Sequence, residues 1–513
     1  MDQDSKLITL EKARSLFLQL KDSGKTLIQC HGTFDLVHPG HVVHFQEAKS
    51  LGDILVVTIT SEKFVNKGPG RPYFNDQMRA KWLTALACVD YVVLIPFADA
   101  VKAIECVKPH FYCKGKEYEN FDKDVTGKIK DEAAEVERWG GKISYVGSVI
   151  FSSSRLLNNH FDSGSPEVKK FCKEVAEICP FPLFSEIISS FESLKVLVIG
   201  DIIFDHYCTV EVQGLTAKNK VISTRFISDE FQAGGSLAVL RHINQFTPHV
   251  KLISLVGTEP WVDNRLKAFV SPEQDGIIKS KEFTSVVKQR YVEPKSDGKE
   301  LIKLFAINFI DKDPIKEDLE ATILKKISDE IKNFDVVLVM DFGHGLMTDK
   351  IRDYVQTNSK FLVVNCQTNS NNHGFNILDR KYSRADALTL DKSEITLVAG
   401  KRNFSYENAL QELTVRLKCS YGWLTGGSTH TFGIKAGHEI HKCPAIEQRI
   451  VDTLGAGDAF CSIVALAAAR NVPIKVANFM GQLAGAQAVK IVGNSEAISK
   501  TKLLKGAASM LSF

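Results

Sequence analysis

The sequence predicts a two-domain α/β protein built on parallel sheets. Three observations carry that reading. At 513 residues the chain is too long for one hydrophobic core. A strand–loop–helix–strand run near the N-terminus reads as a βαβ unit. A second α/β pattern starts abruptly at Lys195-Val-Leu-Val-Ile-Gly200 and alternates to the C-terminus.

Leu10, Ala13, Leu16, Phe17 and Leu20 recur at helical spacing, so Leu7 to Leu20 is expected as a helix, ended by the polar Lys21-Asp22-Ser23-Gly24 stretch. A strand (Thr26 to Cys30), a helix (about Gly40 to Ser50) and a strand (Asp53 to Thr60) make the βαβ unit. Tyr91 to Ile95, His110 to Cys113 and Ile143 to Val146 extend its parallel sheet. Asn158 to Pro166 is polar and closes on Ser-Gly-Ser-Pro, and Glu167 to Ser190 reads as linker helices. The boundary is expected between Phe161 and Leu194, giving domains at 1–160 and 194–513 joined by 161–193. Further strands are expected at Lys251 to Val256, Asp335 to Met340, Phe361 to Asn365, Leu388 to Leu390 and Gly422 to Thr425. The sequence holds no internal repeat or low-complexity tract, and the two halves carry different motifs.

Hydrophobic residues make up 44% and charged residues 24%, ordinary values for a soluble globular chain. The 64 basic and 61 acidic residues nearly cancel, which gives no reason to expect nucleic acid or an anionic membrane as partner. Met1 to Leu10 lacks the apolar core of a signal peptide. The most apolar run, Phe460 to Ala469, is about half of what a membrane span needs. The eleven cysteines show no C-x-x-C spacing, and the separations of Cys106 from Cys113 and of Cys172 from Cys179 suit neither a zinc knuckle nor a disulfide framework. Reduced, mostly buried thiols in a cytoplasmic protein are expected.

The first chemical signal is His31-Gly-Thr-Phe-Asp-Leu-Val-His38-Pro-Gly-His41. A strand enters a glycine-containing turn, and Pro39 stands where helices favour proline, in the first turn. His38 and His41 then sit at the positive end of a helix beside backbone N–H groups without partners. Two imidazoles three apart can there hydrogen-bond a triphosphate and stabilise charge that develops at its α-phosphorus. A bare H-x-x-H would as readily be a zinc pair or two buried core histidines; the strand–turn–helix context favours phosphate chemistry.

The motif is similar to the signature of the cytidylyltransferase-like nucleotidyltransferases, which implies a Rossmann-like domain. Further segments resemble the adenylyltransferase half of the bacterial bifunctional heptose kinase/adenylyltransferases: Glu47-Ala-Lys-Ser-Leu-Gly-Asp53, Lys67-Gly-Pro-Gly-Arg-Pro72, Arg79, Ala85-Leu-Ala-Cys-Val-Asp-Tyr-Val-Val93, Lys114-Gly115 and Phe151-Ser-Ser-Ser-Arg155. The resemblance runs from about Leu7 to Asn159. It implies His38 and His41 as catalytic, with Gly32, Thr33, Phe34, Lys67, Arg79, Lys114, Ser152, Ser153, Ser154 and Arg155 around the nucleotide. Ser152 to Ser154 and Arg155 would open a second helix and hold the β- and γ-phosphates, although such a run is often only a helix cap. Lys67, Arg71 and Arg79 would supply counter-charge; singly, each is as readily a solvated surface residue. Asp35 is a weaker candidate that would equally cap the turn.

The second signal is Val451-Asp-Thr-Leu-Gly-Ala-Gly-Asp458-Ala-Phe. Gly455-Ala-Gly457 opens an apolar helix (Asp458 to Arg470), so free N–H groups point at one spot. A transferring phosphoryl group is stabilised in such a place, with Asp458 beside it to take the proton of an attacking hydroxyl. D-T-x-G-A-G-D resembles the ribokinase-like sugar kinases, and other pieces follow in that family's order over about Leu194 to Leu511. The resemblance implies sugar contacts at Asp201, Asp205, Gly234 and Gly235, and two strands of a small β lid at Gln289 to Val292 and Glu300 to Phe305. It also implies phosphate or nucleotide contacts at Asp391, Glu394, Thr425, Gly427, Thr453, Gly455, Ala456 and Gly457. Asp391-Lys-Ser-Glu394 resembles the family's N-x-x-E element, with Glu394 an indirect partner of Mg²⁺.

Five positions depart from the heptose-kinase pattern: Gly214-Leu-Thr-Ala-Lys218 in place of an Arg-Ile-Ser-Pro-Glu-type segment, Ala238 in place of asparagine, Asp341-Phe-Gly-His-Gly345, Asn365-Cys-Gln367, and Asp391 in place of asparagine. The first two bear on the sugar and the last three on kinase efficiency. The halves also stand in reverse of the common kinase-first order. Together the two resemblances imply a bifunctional enzyme with ATP and a phosphorylated sugar as ligands, Mg²⁺ with the ATP, room for a monovalent cation, and a homo-oligomeric state. Alternatives are CTP or another sugar, or a kinase-like half that acts as a sugar-binding regulatory module.

Overall fold

The computed structural model describes residues 3–116, 128–147, 153–160, 165–294, 301–311 and 314–513. The chain forms two compact units, Met1–Ala176 with Leu504–Phe513, and Glu177–Leu503. This division differs from the expected 1–160, 161–193 and 194–513. The helix Pro166–Ile178 buries Val168, Phe171, Cys172 and Val175, and it falls largely in the first unit. The next helix, Phe181–Ser190, packs into the second, with Phe184 edge-on to Phe479. Residues Leu504–Phe513 return to the first unit, which no reading of contiguous segments anticipates.

The first unit holds a six-stranded parallel sheet. In chain order its strands are β1 (Leu7–Ile8), β2 (Leu27–Gly32), β3 (Ile54–Thr60), β4 (Tyr91–Ile95), β5 (Phe111–Gly115) and β6 (Lys142–Val146). Their spatial order is β1-β4-β3-β2-β5-β6. Val56, Val57, Ile59, Val92 and Val93 are fully enclosed, the near-continuous apolar pattern of a sheet covered on both faces. The expected helix from Leu7 instead begins at Leu10 and runs to Asp22, because Leu7 and Ile8 pair with β4 and the Thr9 hydroxyl caps Lys12 N–H. From β2 the chain winds one way to β3 and β4, then the other way to β5 and β6. The carboxyl ends of β2 and β5 therefore flank the switch point where open α/β sheets form a crevice.

The second unit is built on an eight-stranded sheet. Val250–Ile253, Val196–Gly200, Val336–Asp341, Leu362–Cys366, Ala387–Asp391 and Tyr421–Thr425 run parallel, and His430–Lys435 and His441–Pro444 follow antiparallel. A separate four-stranded sheet pairs Leu301–Phe309, Val287–Pro294, Ile202–Leu215 and Ile222–Gly235 in that order. Only the first two were anticipated as lid strands. The other two form a long hairpin, and the divergent Gly214-Leu-Thr-Ala-Lys218 segment lies at its tip. The apolar helix Ala456–Ala469 is almost wholly buried. No helix among the described residues is long and apolar enough to cross a membrane. Ten of the eleven cysteines are buried, Cys88 being partly exposed.

Candidate active sites

In the first unit, β2 delivers Gly32, Thr33 and Phe34 to the switch point. Phe34 takes a left-handed backbone conformation (φ 47°), and its ring folds back until a Cβ on Gly32 would lie 3.0 Å from it. That turn brings the chain into the helix Pro39–Lys49 with His38 as its N-cap. The His38 Nδ1 accepts from the His41 backbone N–H at 3.3 Å, so in the neutral ring Nε2 carries the proton. The His38 and His41 rings stack with centroids 3.8 Å apart, and Phe34 meets His41 edge-on. Desolvation, then the neighbouring His38 and Lys67, push His41 down to about 3, and desolvation lowers His38 too. Both are neutral donors at the positive end of a helix, a setting suited to hydrogen-bonding a phosphate oxygen.

Asp35 does more than cap a turn. Its Oδ1 accepts from the Tyr73 N–H (2.7 Å) and the Phe74 N–H (3.0 Å), and its Oδ2 pairs with Arg71 at 3.3 Å. Arg71 is buried, and its second arm donates to the Asn158 side-chain oxygen at 3.0 Å. Lys67 is lowered to about 8, first by desolvation; Asp35 opposes the fall, while Arg71, Lys505 and Arg79 add to it. Arg79 is fully enclosed and spends its guanidinium on the Thr33 carbonyl and Asp76. That makes it a brace under the glycine turn. Lys114, at the end of β5, pairs with Glu132 at 2.5 Å and, after desolvation, helps to lower the His31 imidazole to about 3. The helix Ser153–His160 begins beside the same turn, with the Ser153 hydroxyl donating to the Leu36 carbonyl. Ser152 and the side chains of Ser154 and Arg155 lie outside the described residues. Sequence reasoning missed Asn158 and the C-terminal residues beside it.

In the second unit a cavity of about 300 Å³ gathers Asp205, Gly235, Asp391, Glu394, Thr425, Gly455, Gly457 and Asp458. Gly455 (φ 81°) opens the helix Ala456–Ala469, and a Cβ there would lie 2.0 Å from the Asn494 side-chain oxygen, so the turn admits only glycine. Asp458 is buried in the first turn. Its Oδ1 accepts from Gln367 Nε2 at 2.8 Å, and burial pushes it up to about 7. Burial also raises Asp205, which pairs with Arg290 at 2.9 Å. Asp391 caps its helix by accepting from the Ser393 and Glu394 N–H groups. Glu394 accepts from the Asp391 and Thr368 N–H groups, and burial lifts it to about 8.

Other expected residues stand behind this lining. Asp201 accepts from the Phe342 and His344 N–H groups and is raised to about 7 by burial and Asp341. Gly234 backs Asp205, since a Cβ there would lie 2.3 Å from its Oδ2. The Thr453 carbonyl accepts from the Ala456 N–H at 3.4 Å. Thr453, Ala456 and Gly427 do not line the cavity. Lys288 and Arg290 of the lid line it and were not anticipated; a lone cation on a strand carries no local signal. Lys303, also from the lid, pairs with Asp452 of the glycine motif at 2.8 Å.

Comparison with known proteins finds a nucleotidyltransferase family and then a carbohydrate kinase family along the chain, the first match running past Ala176 into the second unit. Residues 30–250 match the cytidylyltransferase-like family profile, and residues 318–501 match the pfkB family of carbohydrate kinases. The chain is 35% identical over 148 residues to the bifunctional protein HldE of Syntrophotalea carbinolica, covering 28% of this chain and 29% of that one. It is 37% identical over 150 residues to the HldE of Pelobacter propionicus (29% of each). It is 26% identical over 316 residues to the HldE of Campylobacter curvus, covering 60% of this chain and 64% of that one. The chain thus spans under a third of the length of the first two relatives. Among solved structures, Escherichia coli phosphofructokinase-2 in complex with substrates and products aligns over 61% of this chain and 99% of that one, with 13% identity and a TM-score of 0.49.

Proposed function

We propose, from a chain that joins a nucleotidyltransferase domain to a carbohydrate kinase domain, that the two carry out consecutive steps of nucleotide-sugar synthesis. The second unit transfers the γ-phosphoryl group of ATP to the anomeric hydroxyl of a sugar phosphate, heptose 7-phosphate in the leading form. The first unit joins the anomeric phosphate installed by that step to the adenylyl group of a second ATP and releases pyrophosphate; the phosphate already on the sugar takes no part in either transfer. The observation that carries the reading is that each unit sets its titratable residues at the N-terminus of a helix following a glycine turn: His38 and His41 in one, Asp458 in the other.

In the kinase step, Asp458 takes the proton of the attacking hydroxyl while the N–H groups of Gly457 and Asp458, which line the cavity, face the phosphoryl group. Lys288 and Arg290 offer charge for the substrate's own phosphate. Mg²⁺ arriving with ATP would screen the phosphate charge. Among the described residues no cluster of three His, Cys, Asp or Glu is placed to cage a metal, and both Glu394 oxygens accept backbone N–H groups. Glu394 would therefore act on such an ion indirectly. In the transferase step, His38 and His41 donate to the α-phosphate, and Lys67 and Arg71 counter the β- and γ-phosphates. A cytoplasmic location and a homo-oligomeric state belong to the same reading.

Two expectations follow from it. With a sugar 1-phosphate supplied, ATP should outperform CTP as nucleotidyl donor, as the Lys67–Pro72 and Lys114-Gly115 resemblance implies. Pyrophosphate release measured with each nucleoside triphosphate checks this, and a preference for CTP would move the chain to the cytidylyltransferase alternative. The kinase kcat/KM should fall about tenfold per pH unit below pH 7, because Asp458 is raised to about 7 and a base works only when deprotonated. A limb near pH 4 would mean that the base is elsewhere. The regulatory-module alternative draws on the Asp205–Arg290 and Asp458–Gln367 pairs, which occupy the carboxylates a sugar would use.

A further inference from the structure

We propose that residues Leu504–Phe513 complete the nucleotidyl-transfer site by fixing, through Asn158, the loop that carries Lys67 and Arg71. Three observations in the first unit converge on this. The Asn158 amide donates to the Ser509 carbonyl at 2.7 Å and the Ser512 carbonyl at 2.8 Å. Ser509 lies in the last turn of the helix Lys500–Met510, where carbonyls lack partners within the helix, and Ser512 lies two residues past its end. The same side chain's oxygen accepts from Arg71. Asn158 thus uses both donors and its acceptor, and the pattern settles which way the amide faces.

The second observation is a backbone contact. Gly68 has φ 92°, and a Cβ there would lie 2.6 Å from the Gly506 Cα. The loop and the C-terminal helix approach as closely as backbones can, which requires glycine at 68. The third is charge. Arg71, Lys505 and Arg79 each act on Lys67 against the pull of Asp35, so Lys67 sits among like charges that a polyanion would relieve. Without an anchor, the loop would relax outward. The Asp35 contacts to Arg71, Tyr73 and Phe74 hold one side of it; the bonds from Asn158 to a segment 351 and 354 positions downstream hold the other. Asn158 is therefore a positioning residue. It acts on the triphosphate through Arg71, and its own orientation depends on the C-terminal segment.

The proposal rests on the transferase reading, and its test separates the two. In the full-length protein, Asn158→Asp keeps an acceptor for Arg71 but cannot donate to the Ser509 and Ser512 carbonyls; Asn158→Ala loses both. If the C-terminal anchor positions the loop, both variants should lose at least about tenfold in nucleotidyl-transfer kcat/KM, chiefly as a raised KM for ATP, since small misplacements of a clamp are costly. The kinase step should be unchanged, which reports that the second unit is folded, and amide protection in strands β2 to β5 should be unchanged, which reports that the first is. Hydrogen exchange gives a readout independent of activity: in Asn158→Asp, amides of residues 504–513 and of the Lys67–Phe74 loop should lose protection together. An Asp variant with wild-type transfer kinetics, or faster exchange in 504–513 with the Lys67–Phe74 loop unchanged, would overturn the proposal. Absence of nucleotidyl transfer in the wild-type chain, with coupled exchange intact, would instead overturn the transferase reading alone.

Discussion

Asp458→Asn should lower ATP-dependent sugar phosphorylation by about 100- to 10,000-fold, the range lost with a general base. Asparagine keeps the shape of the side chain and can still accept the hydrogen bond from Gln367 Nε2, but it cannot take a proton. Ground-state contacts barely change, so ATP and sugar should bind nearly as before, and the loss should fall on kcat and kcat/KM together. Raising the pH should not rescue the variant, whereas it should raise wild-type turnover toward its plateau above pH 7. The full-length chain is the right material, because Leu504–Phe513 belongs to the other unit. Steady-state kinetics with calorimetric binding checks the prediction. A variant that retains turnover would remove Asp458 from the chemistry.

His41→Ala should lower nucleotidyl transfer by about 100- to 1,000-fold, the scale of losing one preorganised donor to a developing charge. The imidazole is held neutral by desolvation and stacked on His38, so what is lost is a positioned N–H rather than a charge. Wild-type kcat/KM should accordingly show no acid limb near pH 6.5 from this pair. The kinase step should be untouched. Near-wild-type pyrophosphate release by His41→Ala would exclude the pair from the mechanism.

The glycine turns and the residues that follow them were legible because their signals are local. Pro39 in a first turn, Gly455-Ala-Gly457 before an apolar run, and Asp391 with Glu394 as a capping box each specify a helix start within a few residues. The residues that complete each site come from packing between distant segments. Lys288 and Arg290 reach the kinase cavity because their strand pairs beside Ile202–Leu215, setting Arg290 opposite Tyr207. Gln367 was noted only as a departure from a family pattern, yet it holds Asp458. Arg79 was expected at the nucleotide, but its complete burial makes it a brace for Thr33. The return of Leu504–Phe513 to the first unit has no sequence signature, since the segment carries only the ordinary spacing of a helix.

The most direct test of two coupled sites is a time course of ADP and pyrophosphate from the full-length protein with ATP and heptose 7-phosphate. The wild-type chain should release both. His41→Ala should release ADP alone and accumulate the sugar bisphosphate. Asp458→Asn should release neither, and should regain pyrophosphate release when the bisphosphate bearing a 1-phosphate is supplied. Pyrophosphate formed by Asp458→Asn from heptose 7-phosphate and ATP, at the wild-type rate, would contradict the account.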